Sequence, residues 1–310
     1  MDFKRPSIYR PPSERNSYFL PITSGCSNST CTFCSSFGSR LQIRDADDVK
    51  REIDAISIYM GTGTYLSNVP DLAYSVAQGW DGRRLFLQDC DALVYPFQKL
   101  KEILQYVNER LPHIERIGSY ATPQDILRRT QDELRELRDL KLSILYVGVE
   151  SGDDEVLERV GKGVDSRQIV EAGRRAKAAG ITLSMMVILG LGGSEGSGKH
   201  AIATAGILTE IDPAYAGALT LTLKPGTPIH DQWKSGSYIP ITPFRSLEEL
   251  KMIIEQSSFS DCFFSSMHAS NYLPIRGRLP QDKTKMLNVL EQVTGKNAPT
   301  FLRPEFLREL

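Results

Sequence analysis

The chain has 310 residues, with 37 lysines and arginines against 38 aspartates and glutamates, and 41% of its residues are hydrophobic. The net charge of -1 excludes the strongly basic balance of a general nucleic-acid-binding protein. No apolar run approaches the ~20 residues that span a bilayer, and the N-terminus lacks the apolar core of a secretory signal. An odd number of cysteines, five, indicates a reducing cytoplasm and metal or redox use, not a disulfide framework.

Apolar strands alternate with amphipathic helices along most of the chain. The predicted strands are near-continuous apolar runs, as expected for parallel strands that are covered on both faces. They lie at 17–23, 84–87, 114–120, 143–149, 183–189 and 218–223. Apolar positions at the helical period predict the intervening helices. These lie at 49–60, 97–107, 122–137, 153–160, 166–179 and 201–211, and a further helix is predicted at 247–256.

Six βα units in about 210 residues, each with a right-handed crossover, predict an α/β fold in the form of a partial (β/α)6 TIM-like barrel. A doubly wound open sheet is the competing arrangement. We expect residues 1–225 to form the core barrel, with the N-terminal segment 1–16 packed on it. Residues 226–310 are expected to form a C-terminal extension that caps the barrel, and the aperiodic stretch 65–83 is predicted as a long connection.

Three cysteines, Cys26, Cys31 and Cys34, follow the first strand with the spacing C-x4-C-x2-C. Thiolates this close together in a cytoplasmic chain most often bind a metal. Structural zinc needs four ligands, so a zinc site would require a distant group such as His113 or Cys90. Three thiolates suit a [4Fe–4S] cluster that leaves one iron open, and a redox dithiol at the last two cysteines is a third interpretation.

The segment GCSNSTCTFC, which contains these cysteines, resembles the cluster loop of the radical S-adenosylmethionine (SAM) superfamily. The usual spacing there is C-x3-C-x2-C, and a branch of mostly uncharacterised single-domain members has the longer spacing found here. The resemblance to that branch covers most of the chain, and a more distant one is to oxygen-independent coproporphyrinogen oxidases. The shared stretches are RPPSE-N at 10–16, FLQDCDAL, SYATPQDIL, YVGVESGDDEVLERVGKG, VILGLGG, GALTLTLKPGTP and HASNYLP.

The resemblance implies several cofactor contacts. Phe33, before the last cysteine, is expected near the adenine of SAM, as are Ile188 and Leu189 at the end of the fifth strand. Glu150 is expected to accept hydrogen bonds from the ribose hydroxyls, and Lys162 to contact the methionine carboxylate. The alternative for Lys162 is a solvated surface position.

Other candidates follow from the rule that barrel enzymes place their chemistry at the carboxyl ends of strands. At the second strand, Gln88, Asp89 and Asp91 are candidates for the ammonium of the methionine moiety, with a helix cap or turn as the alternative role. Ser119 and Tyr120 end the third strand and are candidates for the amino-acid end of the cofactor or for the substrate. Ser151 is a candidate for contact with the cofactor, or else a helix cap, and Cys90 is either incidental or close to the cluster. His268 and Asn271 are expected near the barrel mouth, as substrate candidates or as part of a segment that closes the barrel.

One glycine-rich stretch, Gly193 to His200, is close to the phosphate-binding loop G-x-x-x-x-G-K-[ST]. His200 replaces the hydroxyl that would hold magnesium, so we do not expect nucleoside triphosphate binding. The histidine is interpreted either as facing the reaction cavity or as structural.

The resemblance implies a radical SAM enzyme. A [4Fe–4S] cluster would accept an electron from reduced flavodoxin or ferredoxin and cleave SAM to a 5′-deoxyadenosyl radical. That radical would abstract hydrogen from an unidentified substrate, expected to be a small molecule because the sequence has no clear nucleic-acid-binding module. The alternative is a zinc-stabilised binding protein without catalysis, and a cytoplasmic location is expected in both cases.

Overall fold

A computed structural model describes residues 3–8, 10–67, 69–296 and 299–308 of the chain. The fold is α/β, with eight strands in the main sheet and two in a small second sheet. It divides into two compact units. The first consists of Met1–Ser29, Gly38–Tyr146 and Arg175–Thr182, and the second of Thr30–Phe37, Val147–Arg174 and Leu183–Leu310.

The strands and helices alternate through most of the chain. The strands are β1 (Tyr18–Pro21), β2 (Thr23–Ser24), β3 (Gln42–Ile43), β4 (Arg84–Gln88), β5 (Arg116–Ala121), β6 (Leu142–Glu150), β7 (Thr182–Leu189), β8 (Tyr215–Thr220), β9 (Cys262–Ser265) and β10 (Arg276–Leu279). The helices are α1 (Ala46–Thr62), α2 (Asp71–Gln78), α3 (Phe97–Arg110), α4 (Pro123–Leu127), α5 (Gln131–Asp139), α6 (Asp154–Arg159), α7 (Ser166–Ala178), α8 (Gly193–Ile211), α9 (Pro228–Ser235), α10 (Pro243–Gln256) and α11 (Lys283–Lys296).

In the first unit the strand order is β1-β4-β5-β6. β1 and β4 are parallel with Leu20 opposite Leu87, and β4 and β5 are parallel with Leu85 opposite Ile117. All four of these leucine and isoleucine side chains are buried. Their burial explains the near-continuous apolar runs, because both faces of these strands are covered. The short strands β2 and β3 form a separate antiparallel pair.

A fully buried carboxylate, that of Glu14, joins the N-terminal segment to the sheet of the first unit. It accepts hydrogen bonds from the Ser17 hydroxyl at 2.5 Å, the Tyr146 hydroxyl at 2.5 Å and the Arg116 guanidinium at 2.6 Å. A buried carboxylate is tolerated only when such donors replace its hydration. These three bonds therefore fix where the segment before β1 lies.

In the second unit the order continues as β6-β7-β8-β9-β10, because the boundary between the units falls within β6. The pairs β7–β8 and β8–β9 are parallel, and β9–β10 is antiparallel. The strands β1, β4, β5, β6, β7 and β8 are neighbours in chain order with helices between them, which is the predicted βα order. The chain beyond residue 225 adds β9 and β10 to this sheet.

Three predicted segments differ from the structure. The helix predicted at 122–137 is two helices, because Thr130 begins a new one with a reciprocal capping box to Glu133. The predicted connection at 65–83 contains the helix α2. The helix predicted from residue 201 begins at Gly193, because tertiary packing of α8 overrides the intrinsic cost of its glycines.

Thr122 is the N-cap of α4. Its side chain accepts a hydrogen bond from the Asp125 N–H, and Pro123 occupies the first helical position. In the part of the chain that the structure describes, no helix combines the length and the apolar character needed to cross a bilayer.

Candidate functional site

Two of the three predicted cluster ligands, Cys31 and Cys34, lie in the segment Thr30–Phe37 of the second unit. The Cys34 N–H donates to the carbonyl of Cys31 at 3.1 Å, and the Phe37 N–H donates to the carbonyl of Cys34 at 3.0 Å. The segment is therefore a series of tight turns. The Ser36 N–H donates to the Cys34 sulfur at 3.4 Å, a contact that stabilises a thiolate.

This cysteine segment is held by the turn that follows α6. The Thr32 N–H donates to the carbonyl of Val160 at 2.9 Å, and the Thr30 hydroxyl donates to the carbonyl of Gly161 at 2.7 Å. The Cys31 sulfur lies 3.9 Å from the same Gly161 oxygen. Gly161 has a φ of +68°, and a Cβ there would lie 2.5 Å from the Thr30 carbonyl oxygen. Only glycine permits this approach.

The third predicted ligand, Cys26, belongs to the first unit. Its N–H donates to the Ser39 hydroxyl at 3.3 Å. The preceding Gly25 has a φ of +77°, and a Cβ there would lie 2.4 Å from the carbonyl oxygen of Arg40. The following Ser27 donates its hydroxyl to the Asp125 carboxylate at 2.5 Å. The backbone of Cys26 is therefore held by bonds before, at and after the residue.

Asp125, which the sequence analysis did not single out, is fully buried beside this loop. Burial opposes its ionisation, but hydrogen bonds from Ser27, Asp91 and Thr122 together lower the pKa of its carboxyl below the usual value. Asp91 has the opposite shift, since burial and the nearby Asp125 charge raise its pKa well above the usual value. The two carboxyls therefore interact, and their pKa values shift in opposite directions.

The candidates at the ends of β4 and β5 are mostly engaged with backbone. The Asp91 carboxylate accepts the N–H groups of Leu93 and Thr122, each at 2.6 Å. The Ser119 hydroxyl is buried and lies 2.7 Å from the carbonyl of Tyr120. Asp89 is half-buried, and burial raises the pKa of its carboxyl.

The remaining side chains there face the interior of the first unit. Tyr120 packs edge-on against Phe86, with ring centroids 5.1 Å apart, and burial raises the pKa of its hydroxyl. The Gln88 amide donates to the carbonyl of Ser7 at 2.6 Å, so it holds the N-terminal segment. Cys90 is partly exposed at the same strand end.

Glu150 and Lys162 form an ion pair in the second unit, with Nζ 3.0 Å from Oε1. Lys162 is buried, which is contrary to a solvated surface position. Glu150 ends β6 with a φ of +67°, and its Oε1 occupies the space where a Cβ on Gly148 would lie. The side chain is thus folded back over its own strand, and glycine two residues earlier provides the room.

Ser151, the next residue, is buried and bonded to His200 of α8. Its hydroxyl lies 2.8 Å from Nδ1 of the histidine, and Nε2 lies 3.1 Å from the carbonyl oxygen of Ile188. The Ser151 oxygen also accepts the Asp153 N–H at 3.0 Å, in the turn before α6, and the N-cap of that helix is Asp153. Both ring nitrogens of His200 are therefore engaged with groups of the second unit.

Two of the three residues expected around adenine pack against one apolar cluster of the second unit. Phe33 and Ile188 both pack against a buried core that includes Val160 and Leu191. Leu189 is 1% exposed, so its side chain belongs to the core of the unit. The cluster brings the cysteine segment and the end of β7 together within one unit.

Two buried side chains hold the loop after β7. The Glu249 carboxylate accepts the Gly190 N–H at 2.6 Å, and the Tyr238 hydroxyl donates to the Gly190 carbonyl at 2.7 Å. The other oxygen of Glu249 has no hydrogen-bond partner among the described residues. Burial raises the pKa of this carboxyl to about 7.

The glycine-rich stretch at the start of α8 does not form a phosphate-binding loop, since its backbone is helical from Gly193. Lys199 forms ion pairs with Asp153 at 3.4 Å and Glu155 at 2.8 Å. Lys199 therefore forms ion pairs at the surface of the second unit, in agreement with the expectation that this stretch does not bind a nucleoside triphosphate.

The tail candidates differ in how accessible they are. Asn271 is 2% exposed, and its amide donates to the carbonyls of Ala218 and Ser266 at 2.8 and 2.9 Å. Its oxygen accepts the Thr220 hydroxyl, which completes its hydrogen bonding. His268 is half-buried next to Ser270, and burial lowers the pKa of its ring.

The predicted metal and cofactor residues are divided between the two units. The second unit contains Cys31, Phe33, Cys34, Glu150, Ser151, Lys162, Ile188 and Leu189, and the first contains Cys26, Asp89, Ser119 and Tyr120. Among the described residues, no three His, Cys, Asp or Glu side chains form a ready metal-binding group. The chemistry of the donors nevertheless fits an iron–sulfur cluster. The three cysteines are thiols, and thiolates are the ligands such clusters use.

The sequence pattern of the radical SAM superfamily matches residues 20–197, which is more than half of the chain and includes all three cysteines. The chain belongs to the radical SAM superfamily. Enzymes of this superfamily use a [4Fe–4S] cluster and SAM. The resemblance found from the sequence is confirmed.

A protein of Methanocaldococcus jannaschii, itself uncharacterised, is 31% identical over 191 residues. The match covers 61% of this chain and 54% of that protein, so the chain spans about half the length of this curated relative.

Solved structures show the same fold at low sequence identity. Coproporphyrinogen III oxidase from Escherichia coli has a TM-score of 0.55 and 17% identity, covering 77% of this chain and 51% of that one. Methylornithine synthase has a TM-score of 0.50 and 16% identity, covering 78% and 63%. The radical SAM methyltransferase TsrM from Kitasatospora setae has a TM-score of 0.51 and 17% identity, covering 69% and 38%. The neighbours are partial TIM barrels, so the predicted fold class is confirmed.

The close approach at Gly161 yields a stability prediction. We expect Gly161→Ala to lower the free energy of unfolding by about 3 kcal/mol, because a left-handed φ and a clash with the Thr30 carbonyl add together. The matched control is Gly236→Ala, with a φ of +79° and no described atom within 4 Å of the added Cβ. It should cost about 1 kcal/mol in denaturant unfolding. Equal losses would contradict the proposed packing of the cysteine segment.

The buried Glu249 yields a pH prediction. Its folded pKa of about 7 lies above the ordinary 4.5, so the folded protein binds this proton more tightly. The stabilisation is present below the unfolded pKa and is lost as pH rises through the folded one. The unfolding free energy of the wild-type protein should therefore fall between about pH 5 and about pH 8. In Glu249→Gln this fall should be smaller by roughly 2 kcal/mol, because the variant lacks the titrating group. The exposed Glu248→Gln is the control, and indistinguishable profiles for the two variants would refute the assignment.

Proposed function

We propose that this chain is a radical SAM enzyme that cleaves SAM reductively and transfers a hydrogen atom from a small-molecule substrate. The observation that carries the proposal is the family match over residues 20–197, which contains Cys26, Cys31 and Cys34. The comparisons offer no support for the zinc-stabilised binding protein. The superfamily likewise supports radical cleavage of SAM and leaves the substrate open.

The proposed cluster ligands are the thiolates of Cys26, Cys31 and Cys34. Held there, the cluster would supply the electron that breaks a carbon–sulfur bond of SAM, with methionine as one product and a 5′-deoxyadenosyl radical as the species that abstracts hydrogen. The chain orients the ligands through the contacts around Gly25 and Gly161. Burial of Cys31 supports a site with restricted access to water, which would otherwise compete with the reaction.

For the nucleoside of SAM we propose an apolar contact with Phe33 and Ile188, a contact with the backbone at Leu189, and hydrogen bonds from the ribose to Glu150. The ion pair between Lys162 and Glu150 supports this, because it fixes one oxygen of the carboxylate and so the direction of the side chain. We propose that Lys162 acts mainly by holding Glu150. If Lys162 also contacted the methionine carboxylate of SAM, its ammonium would have to bind that carboxylate and Glu150 at the same time.

For the methionine end we propose Asp89, Ser119 and Tyr120. Asp89 is the best supported of the three, because its carboxyl is half-buried at the end of β4 and Asp91 is committed to backbone groups. His268 remains a proposed substrate contact, and Asn271 a proposed support for it. We further propose reduced flavodoxin or ferredoxin as the electron donor and the cytoplasm as the location.

The test of the proposal is SAM cleavage by the anaerobically reconstituted protein with dithionite. Wild type should contain about four iron and four sulfide per chain and release methionine and 5′-deoxyadenosine. We expect Cys31→Ala to abolish this release, since two thiolates cannot hold the cluster. The matched control is Cys262→Ala, because Cys262 is a buried thiol of β9 whose pKa burial raises to about 12, and it should retain activity.

Cleavage by Cys31→Ala at the wild-type rate, or a colourless protein that binds zinc in place of iron, would refute the proposal. The substrate is then sought by incubation with deuterated metabolites. Deuterium in the released 5′-deoxyadenosine identifies the compound that loses a hydrogen atom.

A further inference from the structure

His200 joins two strand ends of the second unit. It is completely buried in α8, and both ring nitrogens are bonded. Nδ1 lies 2.8 Å from the Ser151 hydroxyl, directly after β6, and Nε2 lies 3.1 Å from the Ile188 carbonyl oxygen in β7. One rigid ring therefore spans from one strand end to the next.

The hydrogen bonds define the state of the ring. A carbonyl oxygen only accepts, so Nε2 carries the proton that is donated to Ile188. The ring is buried and neutral, so Nδ1 accepts the Ser151 hydroxyl proton, while the Ser151 oxygen accepts the Asp153 N–H. Burial lowers the pKa of His200 to about 4, with Asp153 raising it and Arg159 lowering it to smaller extents. The ring thus keeps one tautomer at neutral pH.

The two residues that His200 joins flank proposed cofactor contacts. Ser151 follows Glu150, the proposed ribose acceptor, whose left-handed φ of +67° makes its direction sensitive to the adjacent backbone. Ile188 packs in the same apolar cluster as Phe33, the proposed adenine contact. Neither ring nitrogen is available to SAM, so the histidine acts through these neighbours.

We propose that His200 is a positioning residue for the nucleoside half of SAM, which sets the spacing between the Glu150–Ser151 strand end and Ile188. The proposal rests on the proposed function. It predicts that loss of the two hydrogen bonds weakens binding of the nucleoside and leaves binding of methionine unchanged. A merely structural role would weaken both or neither.

The test compares His200→Phe, which keeps a ring without hydrogen bonds, with His200→Gln, whose amide provides one donor and one acceptor. The matched control is Thr209→Val in the same helix, which removes bonds to Ala205 and Ser258 away from both strand ends. Dissociation constants for SAM, 5′-deoxyadenosine and methionine are measured on the reconstituted proteins, with KM and kcat for SAM cleavage by dithionite.

We expect His200→Phe to weaken binding of SAM and 5′-deoxyadenosine about tenfold, with methionine unchanged and KM raised more than kcat is lowered. His200→Gln should recover most of the affinity and answers the question if His200→Phe fails to fold. If His200→Phe binds SAM with wild-type affinity, or loses affinity for SAM and methionine equally, the inference about His200 is wrong and the proposed function still stands. Absence of SAM cleavage by the wild-type protein would overturn the proposed function.

Discussion

The docking of the cysteine segment on the turn at Val160 and Gly161 is the constraint on which the second unit depends. Two hydrogen bonds, from the Thr32 N–H and the Thr30 hydroxyl, end on consecutive carbonyls of that turn. They require the turn to have no side chain at Gly161. Because α6 and the turn follow directly from β6, this contact links the position of the thiols to the strand that ends in Glu150. The proposed cluster ligands Cys31 and Cys34 and the proposed ribose acceptor Glu150 are thereby tied to one backbone geometry.

Buried polar side chains also hold the backbone in place near three strand ends. Asp125 holds the loop of Cys26 through Ser27, His200 joins β6 to β7, and Glu249 holds the loop after β7. Each such group is costly to bury unless its bonds are made, so each favours a single arrangement of the backbone around it. A radical reaction needs that rigidity, since the reactive species must meet the substrate before any other hydrogen donor.

The sequence predicted the parts of the fold that depend on local pattern. Apolar runs located the parallel strands, and the spacing of Cys26, Cys31 and Cys34 with the flanking segments identified the superfamily. The pattern failed where tertiary contacts decide the outcome. The glycines at the start of α8 suggested a loop, and Thr130 was counted within a helix although it caps a new one. The coupling by His200 joins residues 49 and 12 positions away, and no local signal predicts it. The domain boundary at residue 225 and the individual site roles stay predictions.

The central claim is that three cysteine thiolates leave one iron of the cluster open to SAM. Electron paramagnetic resonance of the reduced, reconstituted protein before and after addition of SAM tests it most directly. We expect a signal that is lost in Cys31→Ala and whose g values shift when SAM is added to the wild-type protein, because the amino and carboxylate groups of SAM bind the open iron. A cluster signal that SAM leaves unchanged would contradict the account, since it would mean that a fourth ligand from the protein closes the site.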